Sequence, residues 1–288
     1  MLRDLFIAMR PRQWSKNILL FAGLLFARDI FTYKTFRSLS AFAIFCLISS
    51  AVYLINDVLD RHQDALHPSK RMRPIASGRL SPNIALFSAF FFMLVCLPTA
   101  FRLDFRFGLA ASAYVIMSIF YSLGLKNVII LDVMIIAVGF VLRAIAGTWV
   151  IHEPVSSWLI ICTSFLALFI ALGKRRAEFI ALGSEGGSIR TTLRLYDEPF
   201  LDKMITISTA ACLMSYALYT LDNETIIKFG TRNLVLTLPL VIYGLFRYLY
   251  LIYNENRGEA PEQALLKDVP LMLCVGLYVA AVIMILYF

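Results

Sequence analysis

The sequence predicts an all-α, polytopic membrane protein, nine transmembrane helices in one bundle. Three observations predict it. Of 288 residues, 60% are hydrophobic and only 16% charged, with a mean hydropathy of +0.76, too apolar for a soluble domain of this length. Apolar runs of about 18 or more residues recur along the whole chain, long enough to cross a bilayer core. Lysines and arginines gather in alternate connections, as they do in loops kept on one side of a membrane.

The first sixteen residues carry Arg3, Arg10, Arg12 and Lys16 with Trp14 among them. They are too polar, and too lacking in a small-residue cleavage site, for a signal peptide. An interfacial helix over 1–16 that stays inside is expected. Spans are then expected at 17–33, 38–56, 83–101, 105–123, 129–150, 156–173, 203–221, 233–253 and 269–288. No internal repeat or flexible linker marks a second domain, so 1–288 reads as a single one.

With the N-terminus inside, nineteen lysines and arginines fall on inner segments, and seven on outer ones: Arg28, Lys34, Arg37, Arg102, Arg106, Lys228 and Arg232. That bias sets the orientation. It also accounts for the net charge of +8 without nucleic acid. The five cysteines are widely spaced within apolar runs and the three histidines are scattered, which argues against a disulfide framework or a His/Cys metal site. The chemistry is expected on one face, in the inner loops 57–82 and 174–202. The outer loops are short and poor in clustered polar groups.

The most informative stretch runs from Asn56 to Gly78. Asn56, Asp57, Asp60 and Asp64 fall within an arc of roughly 100° if the preceding helix continues through them. Three carboxylates on one face repel one another unless a cation sits among them, and a hard, oxygen-seeking ion such as Mg²⁺ shared with substrate phosphates suits that role. Lys70, Arg71 and Arg73 follow after the His67-Pro68 turn, with arginines able to grip phosphate bidentately. A loop charged only for topology would explain the cations. It would not need the aspartates.

Other polar groups are weaker signals. Tyr121 and Lys126 end the fourth span, where both types are common interface anchors. Asp132 and Arg143 share a face of the fifth span, as ligand-binding groups or as an internal salt bridge. Lys174, Arg175, Arg176 and Glu178 open the loop after the sixth span as a stop-transfer cluster or as further phosphate ligands. Tyr196-Asp197-Glu198 and Asp202 read as a second metal or ribose contact or, equally, as solvated charge.

Together these residues resemble a known family. Asn56-Asp57-x-x-Asp60-x-x-x-Asp64 is similar to the first aspartate-rich motif of the UbiA-type intramembrane prenyltransferase superfamily. Arg10-Pro11-Arg12-Gln13-Trp14-Ser15-Lys16-Asn17, the run from His67 to Gly78, Tyr121-Ser122-x-x-Leu125-Lys126, Gly139-Phe140-x-Leu142-Arg143-Ala144 and Lys174-Arg175-Arg176-Ala177-Glu178 resemble its polyprenyl-phosphate phosphoribosyltransferase branch. The resemblance implies nine helices around a cavity open to cytoplasm and lipid. It implies Mg²⁺-dependent transfer of 5-phosphoribose from phosphoribosyl pyrophosphate to a polyprenyl phosphate of the decaprenyl type, at the cytoplasmic face of a bacterial plasma membrane. Such a product leads toward lipid-linked pentofuranose donors of the cell wall.

On that basis Asn56, Asp57, Asp60 and Asp64 are the expected metal ligands. Lys70, Arg71, Tyr121 and Lys126 are expected at the reacting groups, and Lys16, Arg73, Arg143, Lys174, Arg175 and Tyr196 are expected to bind substrate. The second Asp-x-x-x-Asp motif usual in aromatic prenyltransferases is missing, with Glu198-x-x-x-Asp202 its nearest imitation. A prenyl transfer from a prenyl diphosphate to an aromatic acceptor is therefore the second reading, and an anion transporter the third. A homo-oligomer is left open.

Overall fold

The computed structural model describes residues 1–67, 70–182, 191–254 and 267–288, and among these every regular element is helical. Among the described residues eight helices are long and apolar enough to cross a membrane. In chain order the α-helices are α1 (Leu2–Ala8), α2 (Phe21–Phe26), α3 (Lys34–Leu59), α4 (Arg61–Leu66), α5 (Pro82–Leu103), α6 (Phe105–Leu123), α7 (Leu131–Val150), α8 (Ser157–Leu182), α9 (Glu198–Leu221), α10 (Asn223–Phe229), α11 (Leu238–Asn254) and α12 (Val269–Tyr287). The chain clusters into two compact units, Met1–Val155 with Glu185–Leu195, and Ser156–Ser184 with Tyr196–Phe288.

In the first unit α3 packs on α5 and α6, and α6 on α7. Lipid is as apolar as leucine, so close packing and small residues hold such helices together rather than the hydrophobic effect. Phe45, Ile48, Phe107, Ala111 and Ala146 form the centre of one cluster. Ala51, Leu54, Ala85 and Ala89 close against Ala8, Met9 and Ile75 in another. The helix ends confirm the up-and-down order. At one end Arg37, near the start of α3, donates to the carbonyls of Val150 at 2.7 Å and Leu103 at 2.8 Å, satisfying the final turns of α7 and α5.

That end is more polar than its short loops suggested. Lys34 lies between Asp29 at 2.8 Å and Glu153 at 2.6 Å, and His152 stands 3.4 Å from Asp104.

The expected first span, 17–33, is the main departure. Residues Pro11–Leu20 form a 3-10 helix, followed by the six-residue α2. Tertiary contacts set this conformation. A Cβ on Gly147 of α7 would lie 2.0 Å from the Leu20 carbonyl oxygen, and one on Gly23 would lie 2.7 Å from Thr148 Oγ1. Two glycines thus let the segment press its backbone onto α7. Asn17, fully buried, donates to Cys46 Sγ at 3.3 Å and Ser49 Oγ at 3.2 Å on α3.

In the second unit α8 packs on α9 and α11 on α12. Here α8 runs to Leu182, so Lys174, Arg175, Arg176 and Glu178 lie on a helix, not in the expected 174–202 loop. The side chains of the basic cluster continue the turn-to-turn pairing of a helix, which a loop would not give. Residues 183–190 of that expected loop, and Pro68 and Ser69 of the expected turn, lie outside the described residues. Four helices begin on an aspartate that accepts a backbone N–H: Asp104 from Phe107 at 2.8 Å, Asp197 from Phe200 at 2.7 Å, Asp222 from Thr225 at 3.1 Å and Asp268 from Leu271 at 2.9 Å. Asp197 is thereby a helix cap.

Candidate active site

The aspartate motif straddles a helix break. Asn56 and Asp57 lie on the last turn of α3, Asp60 at the junction, and Asp64 on α4. The break keeps their side chains close while α4 turns into the basic segment, whose short 3-10 turn spans Lys70–Met72. Gly78, with φ of 77°, returns the chain toward α5.

Asp57 is only 2% exposed, and its Oδ1 accepts from two guanidinium groups. Arg73 Nη1 lies 3.1 Å away, and Arg10 Nη2 makes the second, short bond. The same Arg73 Nη1 bonds Asp64 Oδ2 at 2.6 Å, so one cation already bridges carboxylates of α3 and α4. Asp60 forms a second set. Its Oδ1 takes a short bond from Lys126, and its Oδ2 accepts from Asn56 Nδ2 at 3.1 Å. Ser122 Oγ donates to Asn56 Oδ1 at 2.9 Å, which fixes the amide so that its N–H₂ faces Asp60.

Sequence reasoning placed the four polar groups of 56–64 in one metal shell. The structure arranges them as two ion-paired sets, and among the described residues no three His, Cys, Asp or Glu side chains converge as a metal cluster. The physical reason is electrostatic. Nearby cations meet the carboxylate charge that spacing alone left unbalanced. The donor chemistry still fits a hard divalent ion, since Asp57 and Asp64 hold one cationic nitrogen between oxygens from two helices.

The remaining expected residues lie on several different segments of the chain. Lys70 is half-buried and Arg71 exposed on the 3-10 turn, which His67 braces by accepting the Lys70 N–H on Nδ1 at 3.4 Å. Tyr121 is partly buried near the end of α6, and Lys16 is partly buried on the 3-10 segment.

Arg143 is 4% exposed in the middle of α7 and has no bond to Asp132. Instead it donates to Asn17 Oδ1 at 2.8 Å, Gly139 O at 2.7 Å and Tyr114 Oη at 2.9 Å. Its guanidinium lies 4.6 Å from the Tyr114 ring centre, 5.5 Å from Phe140 and 5.7 Å from Phe45, a setting that favours a cation. Arg143 is therefore bound into the scaffold. The structural alternative expected for it was an internal salt bridge; the bonds it makes here go to neutral partners instead.

In the second unit the charges pair with one another. Arg175 meets Glu178 at 2.5 Å, both buried. Arg176 bonds Glu198 and Asp202, each at 2.6 Å, and stacks 4.2 Å over Tyr253, whose hydroxyl donates to Asp202 at 2.9 Å. Glu198 and Asp202, the nearest imitation of a second acidic motif, are thus held by an arginine. Lys174 is half-buried on α8. Tyr196 is buried, its ring 6.2 Å from Phe200.

Arg10 and Ser122 are the site residues that sequence reasoning missed. Both lie within motifs quoted for the family resemblance, which is the one signal that marked them. No local spacing links Arg10 to Asp57, 47 residues away.

Fold and cluster define the class: a multi-pass helical membrane protein with an ion-paired carboxylate site at one end of its helices. The chain belongs to the UbiA prenyltransferase family, whose model matches residues 17–273. It is 33% identical over 273 residues to the decaprenyl-phosphate phosphoribosyltransferase of Mycolicibacterium smegmatis, covering 91% of this chain and 85% of that one. To the protein of the same name from Corynebacterium glutamicum it is 32% identical over 286 residues, 97% of this chain and 86% of that one. A UbiA homologue from Archaeoglobus fulgidus, solved with GPP and Mg²⁺, superposes with a TM-score of 0.74 over 99% of this chain and 100% of that one at 21% identity. That likeness concerns the fold.

Proposed function

We propose that this protein transfers 5-phosphoribose from phosphoribosyl pyrophosphate to a polyprenyl phosphate of the decaprenyl type. The observation that carries the reading is the cluster in which Asp57, Asp60 and Asp64 are matched by Arg10, Arg73 and Lys126. A donor with a diphosphate at C1 and a phosphate at C5 calls for carboxylates to take a metal and cations to take phosphate. This cluster offers both. Relatives named for this activity, similar along most of both chains, support it.

In this reading Asp57, Asp60 and Asp64, with Asn56 orienting Asp60, would hold Mg²⁺. Bound there, the ion neutralises charge on the diphosphate leaving group. Arg73 and Lys126 bind donor phosphate oxygens, and Lys70 and Arg71 extend the same cationic segment. An ionised phosphate oxygen of the lipid attacks C1, the bond from C1 to the diphosphate oxygen breaks, and diphosphate leaves with the electron pair. The nucleophile is already deprotonated, so no side chain has to act as a base. Cations aimed at the leaving group stabilise the charge that develops there. The product is a polyprenyl-phosphoryl 5-phosphoribose.

We place the cluster on the cytoplasmic side of a bacterial plasma membrane, because the segments around it carry the basic excess. The test is incubation of the purified protein with Mg²⁺, labelled phosphoribosyl pyrophosphate and a polyprenyl phosphate. Label is expected in the lipid phase. If it stays in water while a labelled prenyl diphosphate is consumed with an aromatic acceptor, the protein is a prenyltransferase instead.

A further inference from the structure

Arg10 lies outside the aspartate motif, yet it shares one oxygen of the most buried aspartate with Arg73. Its backbone sits in the left-handed region, φ 55° and ψ 60°, as the N-cap of the 3-10 helix. Trp14 Nε1 donates to Ser50 Oγ at 3.0 Å, and the Ser50 hydroxyl proton is shared between the carbonyls of Met9 at 3.0 Å and Cys46 at 2.8 Å, tying the chain on either side of Arg10 to α3. The guanidinium also lies 5.1 Å from the centre of the Tyr53 ring. The base of the side chain is thus fixed, and the head meets a carboxylate oxygen and an aromatic ring at the same time.

We propose that Arg10 is a further donor-binding residue, stored on Asp57, and that the divalent ion and the donor's diphosphate enter this cluster together. The proposal rests on reading the cluster as a metal–diphosphate site. Its basis is charge. Arg10, Arg73 and Lys126 balance Asp57, Asp60 and Asp64 before any substrate arrives. A bare divalent ion taking the Asp57 oxygen would leave the partly buried Arg10 without its carboxylate and Arg73 with Asp64 alone, an excess of positive charge beside a buried site, which is costly. An ion that brings a diphosphate removes that cost, because each arginine exchanges a carboxylate oxygen for phosphate oxygens that suit its fork. Metal and donor therefore raise each other's affinity, and by the same factor.

The experiment measures Mn²⁺ binding to the full-length protein, by the paramagnetic resonance signal of free Mn²⁺ with protein-free controls. Mn²⁺ is titrated alone, with inorganic diphosphate, and with phosphoribosyl pyrophosphate. For the native protein, either phosphate compound should tighten Mn²⁺ binding by roughly 5- to 150-fold. Arg10→Ala should bind Mn²⁺ alone about tenfold more tightly than the native protein, with the coupling reduced by a similar factor. Arg10→Gln, which keeps a hydrogen bond to Asp57 without the charge, should behave alike and serves if the alanine variant does not fold. Arg10→Lys should restore weak binding of Mn²⁺ alone.

Native-strength or weaker Mn²⁺ binding in both neutral variants, with coupling unchanged, overturns the proposal. Coupling by inorganic diphosphate but not by phosphoribosyl pyrophosphate overturns the choice of donor and leaves the role of Arg10 standing. Coupling by neither overturns the role of Arg10, whatever the labelled transfer assay gives.

Discussion

Arg143 donates its Nε–H to Asn17 Oδ1 at 2.8 Å, joining the middle of α7 to the 3-10 segment across 126 positions of sequence. Asn17 in turn bonds Ser49 on α3. This link holds three segments of the first unit together and fixes the N-terminal strand of chain that delivers Arg10 to Asp57.

Arg143→Ala should therefore act on stability before it acts on substrate. Each lost hydrogen bond to a charged group is worth about 1.5–3 kcal/mol, and Arg143→Lys, a point charge without the planar fork, should recover little of the loss. Thermal unfolding in detergent, measured beside KM for the lipid acceptor, checks this. Native stability with a raised acceptor KM would make Arg143 a ligand.

Asp57→Asn keeps the shape of the side chain but removes the charge that two arginines share. Transfer should fall by about 10²–10³-fold, the scale of one lost electrostatic partner of the reaction. Stability should fall as well, because Arg10 and Arg73 lose an anion at a buried position. Pairing the change with Arg10→Gln should restore unfolding temperature without restoring turnover.

Gly147→Ala places a methyl group 2.0 Å from the Leu20 carbonyl, so the 3-10 segment must move away from α7. Overpacking of this kind costs about 1–3 kcal/mol. A displaced segment also shifts Arg10, so KM for the donor should rise with the loss of stability. Among the described residues no atom lies within 4 Å of the position a Cβ on Gly276 of α12 would take. Gly276→Ala should leave both unchanged, which a pair of melting curves and initial-rate assays would check.

Arg176 and Asp202 provide a test in the second unit. Arg176→Ala leaves Glu198 and Asp202 facing each other without their cation, and Asp202→Asn removes part of that repulsion. A double-mutant cycle in thermal unfolding should give a coupling of about 0.5–3 kcal/mol. Additive single effects would mean the ion pair adds nothing to stability.

Much of this protein was legible in the chain. The long spans follow from hydropathy because a bilayer imposes their length, and the expected 105–123 run coincides with α6, Phe105–Leu123. The signal was weaker where polarity and helicity diverge. Lys174 and Arg175 were expected in a loop because they are charged, whereas α8 carries them another two turns. Asp197 and Asp268, each two residues ahead of a proline, carried a legible helix-start pattern. Asp197 reads equally as part of a metal or ribose contact or as solvated loop charge, because an acidic side chain can satisfy a backbone N–H, a metal or water with the same oxygen.

By itself the sequence determined the family, the helical membrane architecture and the local motif running from Asn56 to Arg73, because each depends on composition or on short spacing along one helix. Only the tertiary structure decided how that motif's charges are balanced. Arg10 reaches Asp57, Lys126 reaches Asp60 and Ser122 turns Asn56 across separations of 47, 66 and 66 residues. Such pairings leave no periodic trace in the chain. They exist because glycine contacts and the buried Asn17–Arg143 bond bring distant segments to the same end of the first unit, where uncompensated charge would be too costly to leave unpaired.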